Sequence, residues 1–310
     1  MVFIYINENG LKEIPANEIL GKIEMGDSLI EYEHVFIKGD LNVSELSVPK
    51  DRKGKLQVLP LICIKNSVIN GVVNFSSCAL NEAFILEKTT VKGAAYFDST
   101  DFNGEAYFIG SIFEDNVYFW GSTFRYADFS ESKFIGVVDF SGSKFSGENL
   151  TFESALFASP LSQEDACRRA KIVLEANGDR EKAGYHFYRE MEGKRKRKPW
   201  HIRYPEWFFI QLIFGYGVHP FRLMACWLGF VSLFAATYMI WHGIDPVASQ
   251  LKGNATLADY VWFSIATAVT PGYAGYKPTP DFKWVAGLEA IFGTFMWAAF
   301  IATFSRKYMR

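Results

Sequence analysis

"AYFDSTDFNGEAYFIGSIFEDNVYFWGSTFRYADFSESKFIGVVDFSGSKF", residues 95–145, holds ten phenylalanines, at 97, 102, 108, 113, 119, 124, 129, 134, 140 and 145. Every step between them is five or six residues, and no phenylalanine of the stretch falls off the series. Two positions before each stands Ala95, Thr100, Ala106, Ser111, Val117, Ser122, Ala127, Ser132, Val138 or Ser143, all smaller than the ring that follows. Glycine often comes two positions after, at 104, 110, 121, 136, 142 and 147. Such a period fits neither the 3.6 of a helix nor the 2 of a strand, so it marks an internal repeat. Each short face points one large and one small side chain inward and then turns a corner. Stacking such coils at about 4.8 Å buries a continuous ladder of rings and pairs the backbone from coil to coil.

This lattice resembles the pentapeptide-repeat family, whose repeat centres on Leu or Phe with a small residue two before it. The resemblance implies a right-handed, quadrilateral β-helix. Fainter copies, centred on Ile64, Ile69, Phe75, Leu80, Ile85 and Val91 before the stretch and on Phe152 and Phe157 after it, extend the β-helix to 62–158. Residues 1–61 are expected to cap the open end, because an uncovered coil exposes an edge for aggregation. The six-residue steps predict bulged corners. No carboxylate pair, His cluster or Ser/His pairing recurs along the repeat, so it reads as a rigid scaffold or binding surface of unknown ligand rather than an enzyme.

The formal net charge of −2 averages two dissimilar halves: seven of the eight Trp lie beyond position 195, where long stretches carry almost no charge. Residues 223–241, "LMACWLGFVSLFAATYMIW", hold no charge, and 284–304, "WVAGLEAIFGTFMWAAFIATF", hold only Glu289. Both are long enough to cross a bilayer core of about 30 Å. The N-terminal stretch has no basic start and soon meets Asn and Glu, which argues against a signal peptide. "KRKRK" (194–198), Arg203 and Arg222 precede the first span, and Arg306, Lys307 and Arg310 follow the second. Positive-inside bias therefore predicts a multi-pass protein of the cell membrane with both termini cytoplasmic and 243–283 outside. The juxtamembrane position assigns the basic run to anionic lipid headgroups, not to nucleic acid. The four cysteines, at 63, 78, 167 and 226, match no metal spacing and read as buried thiols.

Residues 159–204 are expected to form a helical cytoplasmic linker of two helices, the first starting at Ser162 and ending at Gly178. In that linker Tyr185, His186 and Tyr188 read as a packed helix face. "YPEWFFIQLIFGYGVHP" (204–220) is aromatic, bounded by Pro205 and Pro220 and too short to span, which suits the membrane interface. Between the spans, Thr256 caps a short helix, "LADYVWFSIATAV", that stops at Thr270-Pro271.

A short helix followed by glycine-containing chain between two spans resembles the two-span potassium-channel pore domain, here over 205–310. That family reads Thr-Val-Gly-Tyr-Gly-Asp, two residues, then Pro. This chain has Thr270, Pro271, Gly272, Tyr273, Ala274, Gly275, Tyr276, Lys277 and Pro278, at the same spacing. The resemblance implies a homotetramer in the lipid bilayer, passing monovalent cations such as K+ through a filter at Thr270–Ala274, with no cofactor or resident metal. It also makes Gly293 a candidate gating hinge of the inner helix, close helix packing being the other reading of the same glycine. Glu289 is expected either behind the filter or at the interface. Two residues depart from the family. Pro271 keeps a carbonyl but lacks an N–H, and Ala274 replaces a glycine suited to positive φ, at about 1–2 kcal/mol. The competing expectation is a non-conducting, membrane-anchored β-helix scaffold with a degenerate pore loop.

Overall fold

The computed structural model describes residues 10–218, 220–247, 255–269 and 275–308. The chain divides into two units between Pro199 and Trp200.

In the first unit the chain winds as a solenoid whose strands pair in parallel. One wall has seven strands: Lys12–Pro15, Val35–Lys38, Val68–Asn70, Thr90–Val91, Ile112–Phe113, Lys133–Phe134 and Leu156–Phe157. A second has five, from Leu41–Asn42 to Val138–Asp139. The remaining two walls merge into one eight-stranded sheet, because strands Asp101–Tyr107, Thr123–Asp128 and Lys144–Thr151 run around the corner. Their register shifts between Phe102 and Glu105, on the six-residue step 102–108, and between Phe124 and Tyr126, opposite the longer step from Phe145 to Phe152. The six-residue steps 113–119 and 134–140, by contrast, pair without a shift. Gly147 lies at the second shift, where a Cβ would fall 1.4 Å from the Arg125 carbonyl oxygen. Only glycine fits there.

The phenylalanines stack in columns across the coils. Phe97, Phe119 and Phe140 lie 5.1 and 4.9 Å apart; Phe102, Phe124 and Phe145 lie 4.6 and 5.1 Å apart. Phe108, Phe129 and Phe152 form a third column, and Phe113, Phe134 and Phe157 a fourth. The spacing is set by the parallel backbone ladder, so the rings have no choice but to stack near the coil repeat. Rings of different columns meet edge to face, as Phe119 does with Phe108 and Phe129. The small residues of the lattice, all but the half-buried Ser143, are buried beside them, and their hydroxyls are satisfied: Thr100 donates to the Phe75 carbonyl at 2.6 Å, Ser111 to Leu86 at 2.7 Å and Ser132 to Phe108 at 2.6 Å.

Both ends of this core are covered. Helix α1 (Ala16–Met25) buries Ala16, Ile19 and Ile23. The coil register itself continues below residue 62: Leu29–Glu33 pairs with Leu61–Lys65, and Ile30, Ile37 and Leu41 point inward. At the other end, α2 (Pro160–Ala176) and α3 (Arg180–Lys196) form a hairpin on the last coil. Helix α2 starts two residues before Ser162, because Ser159 caps it and Pro160 fits its first turn. Ser162 is instead spent on the solenoid, exchanging hydrogen bonds with the Val138 N–H at 3.0 Å and carbonyl at 3.1 Å. His186 is a packed helix-face residue; its Nε2 accepts from the Phe152 N–H at 3.5 Å. Arg189 donates to the Ala155 carbonyl at 2.6 Å. The buried carboxylates Glu164 and Glu190 each meet two cations, Arg168 and Arg197 for the first, Arg168 and Lys171 for the second. Part of the basic run 194–198 is therefore structural: Arg195 is buried and Arg197 is tied to Glu164 at 2.6 Å.

The second unit is helical. Helix α4 (Trp200–Glu206) passes through Pro205 and continues as a π-helix, Trp207–Ile213, with no buried residue in either. Helix α5 (Pro220–Ile240) and helix α7 (Lys283–Tyr308) are the two long apolar helices. The shorter α6 (Leu257–Val269) packs against both.

Candidate ion pathway

Helix α6 has 13 residues. At 1.5 Å per residue it is about 20 Å long, short of a bilayer core. Its start is fixed by a capping arrangement in which the Thr256 N–H and hydroxyl donate to the Asp259 carboxylate at 2.8 and 2.7 Å. Its far end lies at mid-length of the two long helices. Ala268 packs in one cluster with Leu223, Trp227 and Val231 of α5 and Met296 of α7.

The chain returns from there to the end of α5. Tyr276–Pro278 pairs antiparallel with Ile244–Pro246, just beyond Ile240. The Val247 N–H donates to the Gly275 carbonyl and the Thr279 N–H to the Gly243 carbonyl, both at 2.9 Å. Gly275 takes φ +83°, a left-handed conformation that suits glycine. A mid-depth helix end and a return strand at the rim are therefore both in place.

The predicted filter residues Thr270, Pro271, Gly272, Tyr273 and Ala274 lie outside the described residues. Gly293 lies inside α7, which runs from Lys283 to Tyr308 as one helix. Glu289, one turn earlier, is fully buried and faces both neighbours. Tyr238 of α5 donates to it at 2.7 Å, and Ser264 of α6 donates to its other oxygen. The Ser264 hydroxyl also sits 2.9 Å from the Val231 carbonyl, so α5, α6 and α7 meet at one point. Ser264 and Tyr238 escaped the sequence reading. The available signal was a hydroxyl on each of two otherwise apolar helices, which has to find a partner once buried.

Among the described residues no group of His, Cys, Asp or Glu is arranged to hold a metal ion. The cysteines are free thiols, Cys63, Cys78 and Cys167 buried and Cys226 partly so. Burial pushes the Cys78 and Cys167 thiols up to about 12, which leaves them protonated and unreactive.

Comparison with known families agrees with both units. Residues 86–133 match the family described as pentapeptide repeats (nine copies), and residues 224–310 match the family described as ion channel. The repeat match is shorter than the coil itself, whose parallel pairing runs from Lys12 to Phe157. No curated protein and no solved structure matches the chain. One chain thus carries a pentapeptide-repeat β-helix and a membrane ion-channel domain.

Proposed function

We propose that four copies of this chain close around one axis as a cation channel of the cell membrane, permeable to potassium. The observation that carries the reading is where the described chain stops and resumes: α6 ends at mid-length of the two long helices, beside Val231 and Met296, and Tyr276 pairs with the segment just after α5, which supports a re-entrant path. Residues 270–274 bridge that interval. In this reading Thr270, Pro271, Gly272, Tyr273 and Ala274 supply the carbonyl cage that replaces the ion's water, and no prosthetic group is needed. The negative end of the α6 dipole favours a cation below it. Four chains are required because one chain contributes a single loop, and non-helical backbone at membrane depth has to face water or protein.

Basic residues flanking α5 and α7 place both termini in the cytoplasm, so the solenoid is cytoplasmic, as a scaffold or a regulatory element with its own ligand. The aromatic segment 200–213, which has no buried residue in the single chain, lies at the membrane interface.

The test is potassium flux into liposomes holding purified protein, paired with light scattering of the detergent-extracted species. Flux together with a mass of about four chains is the expected result. Stable monomers or trimers refute the closed pore, and a tetramer that passes no ion supports the competing reading, a membrane-anchored scaffold.

A further inference from the structure

Glu289 and Gly293 are one helical turn apart on α7, and Ser264 and Ala268 are one turn apart on α6. The two pairs meet in register. Glu289 holds Ser264, and Gly293 lies against Ala268 so closely that a Cβ on it would fall 2.4 Å from the Ala268 carbonyl oxygen and 2.5 Å from its Cα. That is backbone, which cannot swing aside as a side chain can. Gly229 and Gly287, in the same two long helices, have open space where a Cβ would stand. The approach at Gly293 is therefore local to the end of α6, two residues before Thr270. Tyr238, buried in α5 and edge-on to Phe263 of α6 at 5.1 Å, braces the carboxyl from the other side.

We infer that Glu289 and Gly293 form a pin and a notch that fix the depth and rotation of α6, making them positioning residues for the filter, and that Gly293 serves close packing rather than bending of α7. This rests on the channel reading above. The helix is too short and too apolar to hold its own depth, and one polar anchor plus one backbone contact suffice to set both its height and its rotation. A change at either point moves the carbonyls that follow Val269.

The experiment uses full-length protein with four variants, Gly293→Ala, Glu289→Ala, Ser264→Ala and the double variant Glu289→Ala with Ser264→Ala. Bi-ionic potassium/sodium reversal potentials and single-channel conductance report the filter; open probability reports the gate. Gly293→Ala is expected to change the reversal potential and the conductance. Glu289→Ala and Ser264→Ala are expected to shift the reversal potential in the same direction, Glu289→Ala further because it also removes the Tyr238 bond, with the double variant no worse than Glu289→Ala, because Ser264 acts through the contact both changes remove. A Gly293→Ala channel with wild-type reversal potential and conductance but altered open probability would restore the hinge and overturn the notch. Additive shifts at 264 and 289 would overturn the pin. Ser264→Ala removes only a hydroxyl, so it keeps the test decisive if the glycine variant fails to assemble.

Amide exchange across 257–269 is measured in the same samples and needs no conduction. The pin predicts about fivefold faster exchange of this segment in Ser264→Ala, the factor given by one lost buried hydrogen bond, and at least as much in Glu289→Ala, which also loses the Tyr238 bond. If wild-type liposomes carry no current, the channel reading falls, and the exchange alone decides the pin. Unchanged exchange in both variants refutes it whether or not the protein conducts.

Discussion

Phe119 is the residue at which the solenoid is most exposed to test. Its ring has no solvent exposure and stacks between Phe97 at 5.1 Å and Phe140 at 4.9 Å, with Phe102, Phe108, Phe124 and Phe129 around it. Replacing it with Ala removes the ring and leaves its space. Phe→Ala in a core costs about 3–5 kcal/mol, toward the top where neighbours cannot close in. They cannot do so here. The Phe119 N–H donates to the Asp139 carbonyl and the Phe97 N–H to the Tyr118 carbonyl, both at 2.8 Å, so the coil spacing is fixed by backbone. The ring pairs lost with it, each worth about 0.5–1.5 kcal/mol beyond area, are already part of such measured costs and place this site in the upper half of that range. The expected loss is therefore near 4–5 kcal/mol, concentrated in the coils on either side, because each coil touches only its neighbours. Amide exchange of the full chain in detergent reads it directly as the opening free energy of peptides between 95 and 157. Trp120→Ala is the control: that ring is 56 % exposed, and its loss should cost about 1 kcal/mol or less. Opening energies within about 0.5 kcal/mol of wild type for Phe119→Ala, or equal losses at 119 and 120, would refute the ladder as the source of stability.

Three more outcomes are expected. His186 is buried against the last coil, and that burial, with Arg189 beside it, pushes its pKa down to about 4 from 6.5. The unfolded chain then binds a proton that the folded one refuses, so stability should fall as pH drops from 6.5 towards 4, by about 3 kcal/mol in total, and His186→Gln should flatten the slope in pH-dependent unfolding of the repeat region. At the proposed filter, wild-type channels should pass both sodium and potassium, and Pro271→Val with Ala274→Gly should move the bi-ionic reversal potential towards potassium; a wild type already strongly potassium-selective contradicts this. Lys194 and Arg203 are exposed basic residues ahead of α5, and changing both to Gln should lower the phosphatidylserine retained per chain after extraction, by about 1 kcal/mol of binding for each charge; unchanged retention would take these two residues out of lipid binding.

How much of this was legible in the sequence differs sharply between the two units, for a physical reason. A solenoid repeats its contacts, so each phenylalanine restates the same inward position, and ten restatements between 97 and 145 leave no other reading. The weaker beginning was harder. Ile37 is in register with Phe113 of the later ring column, and Ile30 and Leu41 with the columns that hold the small residues Ala106 and Ala95, but aliphatic side chains at irregular spacing do not announce a coil, so the stretch before 62 reads from sequence as a cap alone. The start of α2 is hidden in the sequence for a comparable reason: Ser162 has the chemistry of a cap, and only the solenoid, which supplies the Val138 carbonyl and N–H, shows that the hydroxyl is used elsewhere.

The membrane unit reverses the balance. Hydropathy located α5 and α7 to within four residues at each end, since length and absence of charge are local properties. Contacts between helices are not local. Glu289 drew notice as the lone charge of its span, yet nothing in the order of residues says whether a buried carboxyl meets water, a neighbour or a second chain. The structure answers with Tyr238, 51 positions away, and Ser264, 25 positions away. Gly293 makes the same point by its missing atom. A glycine in an inner helix suits bending and close packing equally well on sequence, and it is the position of the Ala268 backbone, not any property of the glycine, that separates the two.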